Sequence, residues 1–98
     1  MTLYELIRTR NNYYDLKDNI TIIINQYNSA IDSLDLVIKN FNLSYSVDDN
    51  SVGREETINQ KNKLASNKSF LKDQVIPAIN YQITQLNKKI EQEQQKLT

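Results

Sequence analysis

The sequence predicts an all-α fold: an antiparallel two-helix hairpin of the coiled-coil type that takes up the whole chain, residues 1–98. Two observations lead to this prediction. Large apolar residues recur in both halves with the alternating 4-3 spacing of an amphipathic helix. Between the halves lies one polar stretch, which holds the only glycine. A chain with one Gly and one Pro has little capacity for the many turns that compact β folds require.

The first helix is predicted at about residues 2–45. Thr2 is followed three residues later by Glu5, the spacing of a capping box that satisfies free backbone N–H groups in the first turn. The stretch "ITIII" at Ile20–Ile24 has the β-branched composition of a strand. However, the period of two that a strand requires fails on both sides of it, whereas the seven-residue repeat continues through it. A helix is therefore expected there.

A turn is predicted at about residues 46–53, where Asp, Asn and Ser cluster before Gly53. The second helix follows at about residues 54–96. Its apolar spacing changes phase near Pro77, which cannot donate a hydrogen bond to the carbonyl of Asp73, so we expect a kink near Pro77. A fresh helix that begins near Pro77 is the alternative.

When the chain folds back at this turn, the two helices share one apolar stripe, called here the seam. The register places Ile20 and Ile24 beside Ile79 and Val75. It also brings Leu34 near Leu64. The predicted members of the seam are Leu6, Tyr13, Ile20, Ile24, Tyr27, Ile31, Leu34, Ile38, Leu71, Val75, Ile79, Ile83, Leu86 and Ile90.

Helix 1 also carries apolar residues beyond those that one partner helix can cover. Ile22, Leu36 and Leu43, called here the outer row, are spaced in multiples of seven. They widen the apolar arc of the helix, so we predict that they form a partner-binding face. Scattered surface aliphatic residues are the alternative interpretation, because single exposed apolar side chains are common.

Composition argues against most other classes of function. There is no His or Cys, so histidine-based acid–base chemistry and cysteine nucleophiles are excluded, and one Gly cannot form a glycine-rich phosphate loop. We therefore expect no enzyme activity, no cofactor and no metal. The net charge of zero gives no general attraction to nucleic acid or anionic membranes. No apolar window is long enough to insert into a membrane.

The charges are divided between the two halves. Residues 1–49 carry seven acidic and four basic side chains, and residues 50–98 carry five acidic and eight basic ones. Antiparallel pairing would place the acidic helix on the basic helix, while drift in surface charge is the alternative explanation. The opening "MTLYELIRTR" lacks the pattern of a signal peptide. We therefore expect a cytoplasmic protein, or one exported without a cleaved signal peptide.

The layout resembles the small helical proteins of Gram-positive type VII secretion: the WXG-motif proteins and the related proteins encoded beside LXG toxins. "LYEL" at residues 3–6 and the tail "INYQITQLNKKIEQEQQKL" resemble the second group. At the central turn, Ser51, Val52 and Gly53 stand where Trp-x-Gly is expected, so only the glycine matches. The Tyr-x-x-x-Asp/Glu secretion signal fails at Tyr81, because Gln85 stands at its last position.

The resemblance implies a non-enzymatic targeting or chaperone factor. Its protein partners would be the helical N-terminal region of an LXG-type toxin and a WXG-like, signal-bearing protein, and a homodimer is a further expectation. The alternative is a generic coiled-coil structural or scaffold subunit, such as a phage structural protein or a prefoldin-like chaperone. A small nucleic-acid-binding regulator is a third class, for which affinity would fall steeply with salt.

Overall fold

The chain forms an antiparallel helical hairpin. The structure, a computed structural model, describes residues 1–43 and 47–97. The first arm is α1 (Leu3–Asn42). The second arm consists of α2 (Val47–Phe70), a π-helix (Leu71–Val75) and α3 (Ile76–Lys96), which follow one another without a break. Within the described residues there is no strand, so the predicted all-α fold is confirmed.

The hairpin is elongated rather than globular. Its radius of gyration is 21.7 Å, whereas a compact chain of this length would have about 13 Å. Its cross-section of 16 × 14 Å is that of two helices side by side. Every residue therefore lies close to the surface, and the packing between the arms is a single layer deep.

The first helix begins at the residue that the sequence indicated. Thr2 is the N-cap of α1, and its hydroxyl accepts a hydrogen bond from the backbone N–H of Glu5 at 3.2 Å. The same hydroxyl donates to the Glu5 carboxylate at 3.1 Å. The segment Ile20–Ile24 lies in the middle of α1, as predicted. Packing of its apolar side chains against the second arm outweighs the β preference of isoleucine.

Contacts between the arms fix their register from the open end to the turn. Leu6 packs with Leu86 and Ile90, and Tyr13 packs beside them. Ile20 packs with Ile79 and Ile83, and Ile24 and Val75 pack against that cluster, so the predicted pairing is confirmed. Nearer the turn, Lys61 forms an ion pair with Asp35, and Arg54 Nε donates to Asn42 Oδ1 at 2.6 Å.

The connection between the arms is shorter than the sequence analysis predicted. α1 ends at Asn42 rather than near residue 45, and α2 already begins at Val47 rather than at residue 54. The predicted turn at 46–53 is therefore wrong over most of its length, while Ser44, Tyr45 and Ser46 lie outside the described residues. Asp, Asn and Ser are common both at the start of a helix and in loops, so composition alone could not place the start of α2.

The assignment of Gly53 to the turn is also wrong. Gly53 lies inside α2 and does not have a positive φ. A Cβ atom at this position would lie 3.0 Å from Cζ of Phe41. The glycine is therefore explained by the close approach of α2 to the Phe41 ring near the turn end, not by backbone conformation.

The π-helix explains the change of phase that the sequence showed near Pro77. Along the second arm, successive seam positions are alternately four and three residues apart, both before Val75 and after Ile79. The step from Val75 to Ile79 is four residues, whereas the alternation requires three. A π-helical turn accommodates one extra residue, so both stretches face α1. The Ile76 N–H donates to the Leu71 carbonyl. Pro77 follows in the first turn of α3, where the lack of an N–H group is tolerated. The predicted kink itself stays a prediction.

Candidate helix-docking surfaces

Ten of the fourteen predicted seam residues pack in two apolar clusters between the arms. Six of the fourteen are buried and lie in the half of the hairpin away from the turn: Leu6, Ile20, Ile79, Ile83, Leu86 and Ile90. The other eight are half-buried: Tyr13, Ile24, Tyr27, Ile31, Leu34, Ile38, Leu71 and Val75. Sequence reasoning missed Leu3, Ile7 and Ile76, which pack at the edges of the same groups.

The seam is less well closed near the turn because α2 presents polar residues there. Thr57, Lys61 and Lys68 occupy the positions that would continue the apolar stripe, and all three are half-buried. The Lys61–Asp35 ion pair joins the arms at this level, but both side chains are partly solvated, so its contribution is about 0–1 kcal/mol. It is the one interhelical ion pair found in the described part of the chain, so the charge division between the halves contributes little direct pairing.

The three residues of the outer row are exposed. The exposed fractions are 55% for Ile22, 63% for Leu36 and 67% for Leu43, the residue that caps α1. Ile22 and Leu36 each stand two positions after a seam residue, which is about 200° around the helix. Leu43 follows Leu36 by seven residues and so lies on the same side of the helix. The outer row therefore lies on the far side of α1 and not beside the seam, and the second arm cannot cover it.

A second apolar set runs along α1 directly beside the seam. Leu16, Ile23, Ala30 and Val37, called here the lateral row, repeat every seven residues. Leu16, Ile23 and Val37 are 45%, 41% and 41% exposed. The sequence pattern alone does not separate this row from the seam, because the two stripes adjoin and form one broad apolar arc.

Next to the lateral row lies an open groove between α1 and α2, called here the side groove. Ile23, Tyr27, Ala30 and Leu64 line one part of it. The adjoining part is lined by Ala30, Leu34, Leu64 and a polar rim of Ser33, Gln60, Lys63 and Asn67. The groove confirms the predicted approach of Leu34 to the second arm. Its floor is apolar, and Lys63 is the one charged residue among those that line it.

The described residues include no group of three or more potential metal-ligating side chains. No helix in the described part is long and apolar enough to cross a membrane. Near the open end, Arg10 donates to Asn87 Oδ1 at 3.3 Å, and its guanidinium lies 5.9 Å from the centre of the Tyr14 ring. The hydrogen bond joins α1 to α3, which explains why Arg10 lies at the edge of the seam.

Comparison with known protein families, curated proteins and solved structures found no match to this chain. The candidate surfaces therefore rest on the geometry of the hairpin itself: the outer row on the far side of α1, and the lateral row with the side groove.

Proposed function

We propose that this hairpin is a non-enzymatic interaction protein that binds a helical segment of another protein through the outer row of α1. The observation that carries the proposal is the exposure of Ile22, Leu36 and Leu43 on the side of α1 that faces away from the second arm. An amphipathic helix that docks in this way contacts its partner at positions spaced by three, four and seven residues. The outer row offers three apolar positions in heptad register over about 30 Å of helix, with Ser29 at the position between Ile22 and Leu36.

The partner we propose is the helical N-terminal region of an LXG-type toxin, bound together with a WXG-like protein that carries the secretion signal. The length and hairpin layout of the chain support this proposal, as do the segments "LYEL" and "INYQITQLNKKIEQEQQKL". In this role the hairpin covers apolar helices of the toxin before export by a type VII system. The protein acts in the cytoplasm and is itself either retained there or exported without a cleaved signal peptide.

The test is co-purification of the toxin segment with the hairpin and with a variant in which Ile22, Leu36 and Leu43 are all changed to Asp. Burying an unpaired charge costs several kcal/mol, so the variant should lose the toxin segment. The circular dichroism spectrum of the variant should still show a helical protein, because none of the three residues packs in the seam.

The matched control replaces three exposed polar residues of the second arm, Asn59, Ser66 and Gln92, with Asp, and should retain binding. If the outer-row variant retained the toxin segment as well as the control does, the docking proposal would be wrong. A hairpin that binds no helical partner would favour the alternative, a coiled-coil structural or scaffold subunit.

A further inference from the structure

We infer that the outer row binds a helix that carries basic residues on the edge of its own apolar row. A large apolar side chain of that helix enters a hole on the far side of α1. The hole is formed by Ile22, Asn25, Gln26 and Ser29 and is called here the outer hole. This inference rests on the proposed function, because it names the chemistry of the helix that binds the same face.

The outer hole has the arrangement that receives a side chain from another helix. Its four residues follow the pattern i, i+3, i+4 and i+7, which is the pattern of the holes in knobs-into-holes packing. All four residues are exposed. The outer hole therefore stands open on the far side of α1, where the second arm does not reach.

Ser29 explains why there is a hole at this point of the outer row. It occupies the position between Ile22 and Leu36, where a large aliphatic residue would fill the space. The surface of the outer hole is mainly apolar. Burying a polar or charged group there without a partner is costly, so the side chain that enters is an aliphatic one.

The charge beside the outer row is uneven. On one edge, Asp18 precedes Ile22 by four residues and Asp32 precedes Leu36 by four residues, so the same pair recurs after two heptads. Residues four apart are neighbours on a helix surface, so each aspartate lies beside its aliphatic residue. The opposite edge of the outer row holds uncharged residues: Asn12, Asn19, Gln26, Ser33 and Asn40.

The two aspartates have no partner of their own. Both are exposed, and in the part of the chain that the structure describes neither forms an ion pair or a hydrogen bond. Asp35, by contrast, is paired with Lys61. Lys39 follows Asp32 by one heptad and ends the acidic edge towards the turn.

This charge pattern determines which helix the outer row accepts. Asp18 and Asp32 lie about 21 Å apart along α1, so a partner helix meets both with two Lys or Arg residues fourteen positions apart. Like charges at these places repel and exclude the wrong partner. The aliphatic side chain in the outer hole provides the apolar contact, while the aspartates select a basic helix.

The first test asks whether docking needs the outer hole or only apolar area. The probe is a synthetic amphipathic helix of about four heptads, with a leucine row and, on both edges, two lysines fourteen positions apart. Its affinity for the hairpin is measured by isothermal titration calorimetry. Ser29→Leu fills the outer hole and should weaken binding at least tenfold, whereas the matched control Ser29→Ala keeps it open and should bind as the wild type does.

Tighter binding by Ser29→Leu would overturn the inference, since it would show that continuous apolar area is what the partner contacts. That outcome would leave the proposed function intact, because the outer row would still be the docking face.

The second test addresses charge with a matched peptide in which glutamate replaces each lysine. The hairpin should bind the lysine peptide at least tenfold more tightly than the glutamate peptide at low salt, and added salt should reduce the preference by screening. Asp18→Lys with Asp32→Lys should reverse it. Glu56→Lys with Glu91→Lys, two exposed positions of the second arm, changes the net charge equally and should keep it.

Equal affinities for the two peptides, or binding of neither, would overturn the inference. The outer-row variant with Ile22, Leu36 and Leu43 changed to Asp separates this failure from that of the proposed function. If it abolished binding of both peptides where the wild type binds them equally, docking through the outer row would stand and only the selection by charge would fail.

Discussion

At position 53 a glycine occupies a helix interior, where alanine would usually be more stable by about 0.5–1 kcal/mol. The ring of Phe41 explains the choice, because an added Cβ would lie 3.0 Å from its Cζ atom. We predict that Gly53→Leu lowers the free energy of unfolding by about 1–3 kcal/mol, since overpacking at this contact must push the arms apart. Urea denaturation followed by circular dichroism measures the change.

A double-mutant cycle separates this contact from general effects of a larger side chain. In the Phe41→Ala background the ring is absent, so Gly53→Leu should cost clearly less than in the wild type. An equal cost in both backgrounds would show that the ring does not determine the glycine. The sequence could not have revealed this role, because a lone glycine in a polar stretch has the same appearance in a turn and at a close helix contact.

At the scale of the helices, the second arm combines two stretches of heptad pattern that are out of phase by one residue. Pro77 lies between them, two residues after the π-helix. If the extra residue causes the π-helix, then Pro77→Ala alone should preserve it, because the phase difference remains. Deleting Pro77 should instead join the two stretches into one regular α-helix. The deletion should retain or raise the free energy of unfolding, as measured by urea denaturation.

The matched control inserts one alanine after Ala78, which doubles the phase difference. Two extra residues would then rotate the later seam residues by about 200° around the helix axis, relative to a helix with regular seam spacing. Ile79 and Ile83 would therefore leave the seam. This variant should lose most of its cooperative unfolding transition. If the deletion and the insertion destabilised the hairpin equally, the explanation of the π-helix by the phase difference would be wrong.

The helices were more predictable than their junctions, for a physical reason. The seam depends on spacing alone, and Ile20 and Ile83 are found where the 4-3 pattern put them. The start of α2 at Val47 depends on backbone hydrogen bonding, which no periodicity encodes. The π-helix did leave a sign in the sequence, the four-residue step from Val75 to Ile79, but that step alone does not distinguish a π-helix from a kink. The heptad spacing of the outer row could be read from the sequence. Its position on the far side of α1 follows only from the angle around the helix between its residues and the seam residues two positions earlier.

At the scale of the whole molecule, stability is concentrated in the half of the hairpin away from the turn. Ile83 is 6% exposed and belongs to a buried group, whereas Leu34 borders the side groove. We predict that Ile83→Ala costs about 2–4 kcal/mol in urea denaturation and that Leu34→Ala costs less, because a half-buried side chain loses less contact. If Leu34→Ala lowered the free energy of unfolding more than Ile83→Ala does, the prediction would be wrong, and the side groove would have to be closed in solution.

The concentration of stability at one end leaves the other faces of α1 available for partners. The outer row and the lateral row lie on different sides of α1, and both contain exposed apolar side chains. These surfaces connect the partly buried seam of the hairpin with its proposed function, in which a partner protein covers apolar area that the chain does not bury itself.

Protection of the outer row by a bound partner tests this account most directly. Ile22→Cys and Leu36→Cys variants are labelled with a maleimide reagent in the absence and presence of the toxin's N-terminal helical segment, with Tyr81→Cys on α3 as the exposed control. We predict that the segment slows labelling of Ile22→Cys and Leu36→Cys at least tenfold and leaves Tyr81→Cys unchanged. Unchanged labelling at both outer-row positions in a complex that has formed would contradict the account.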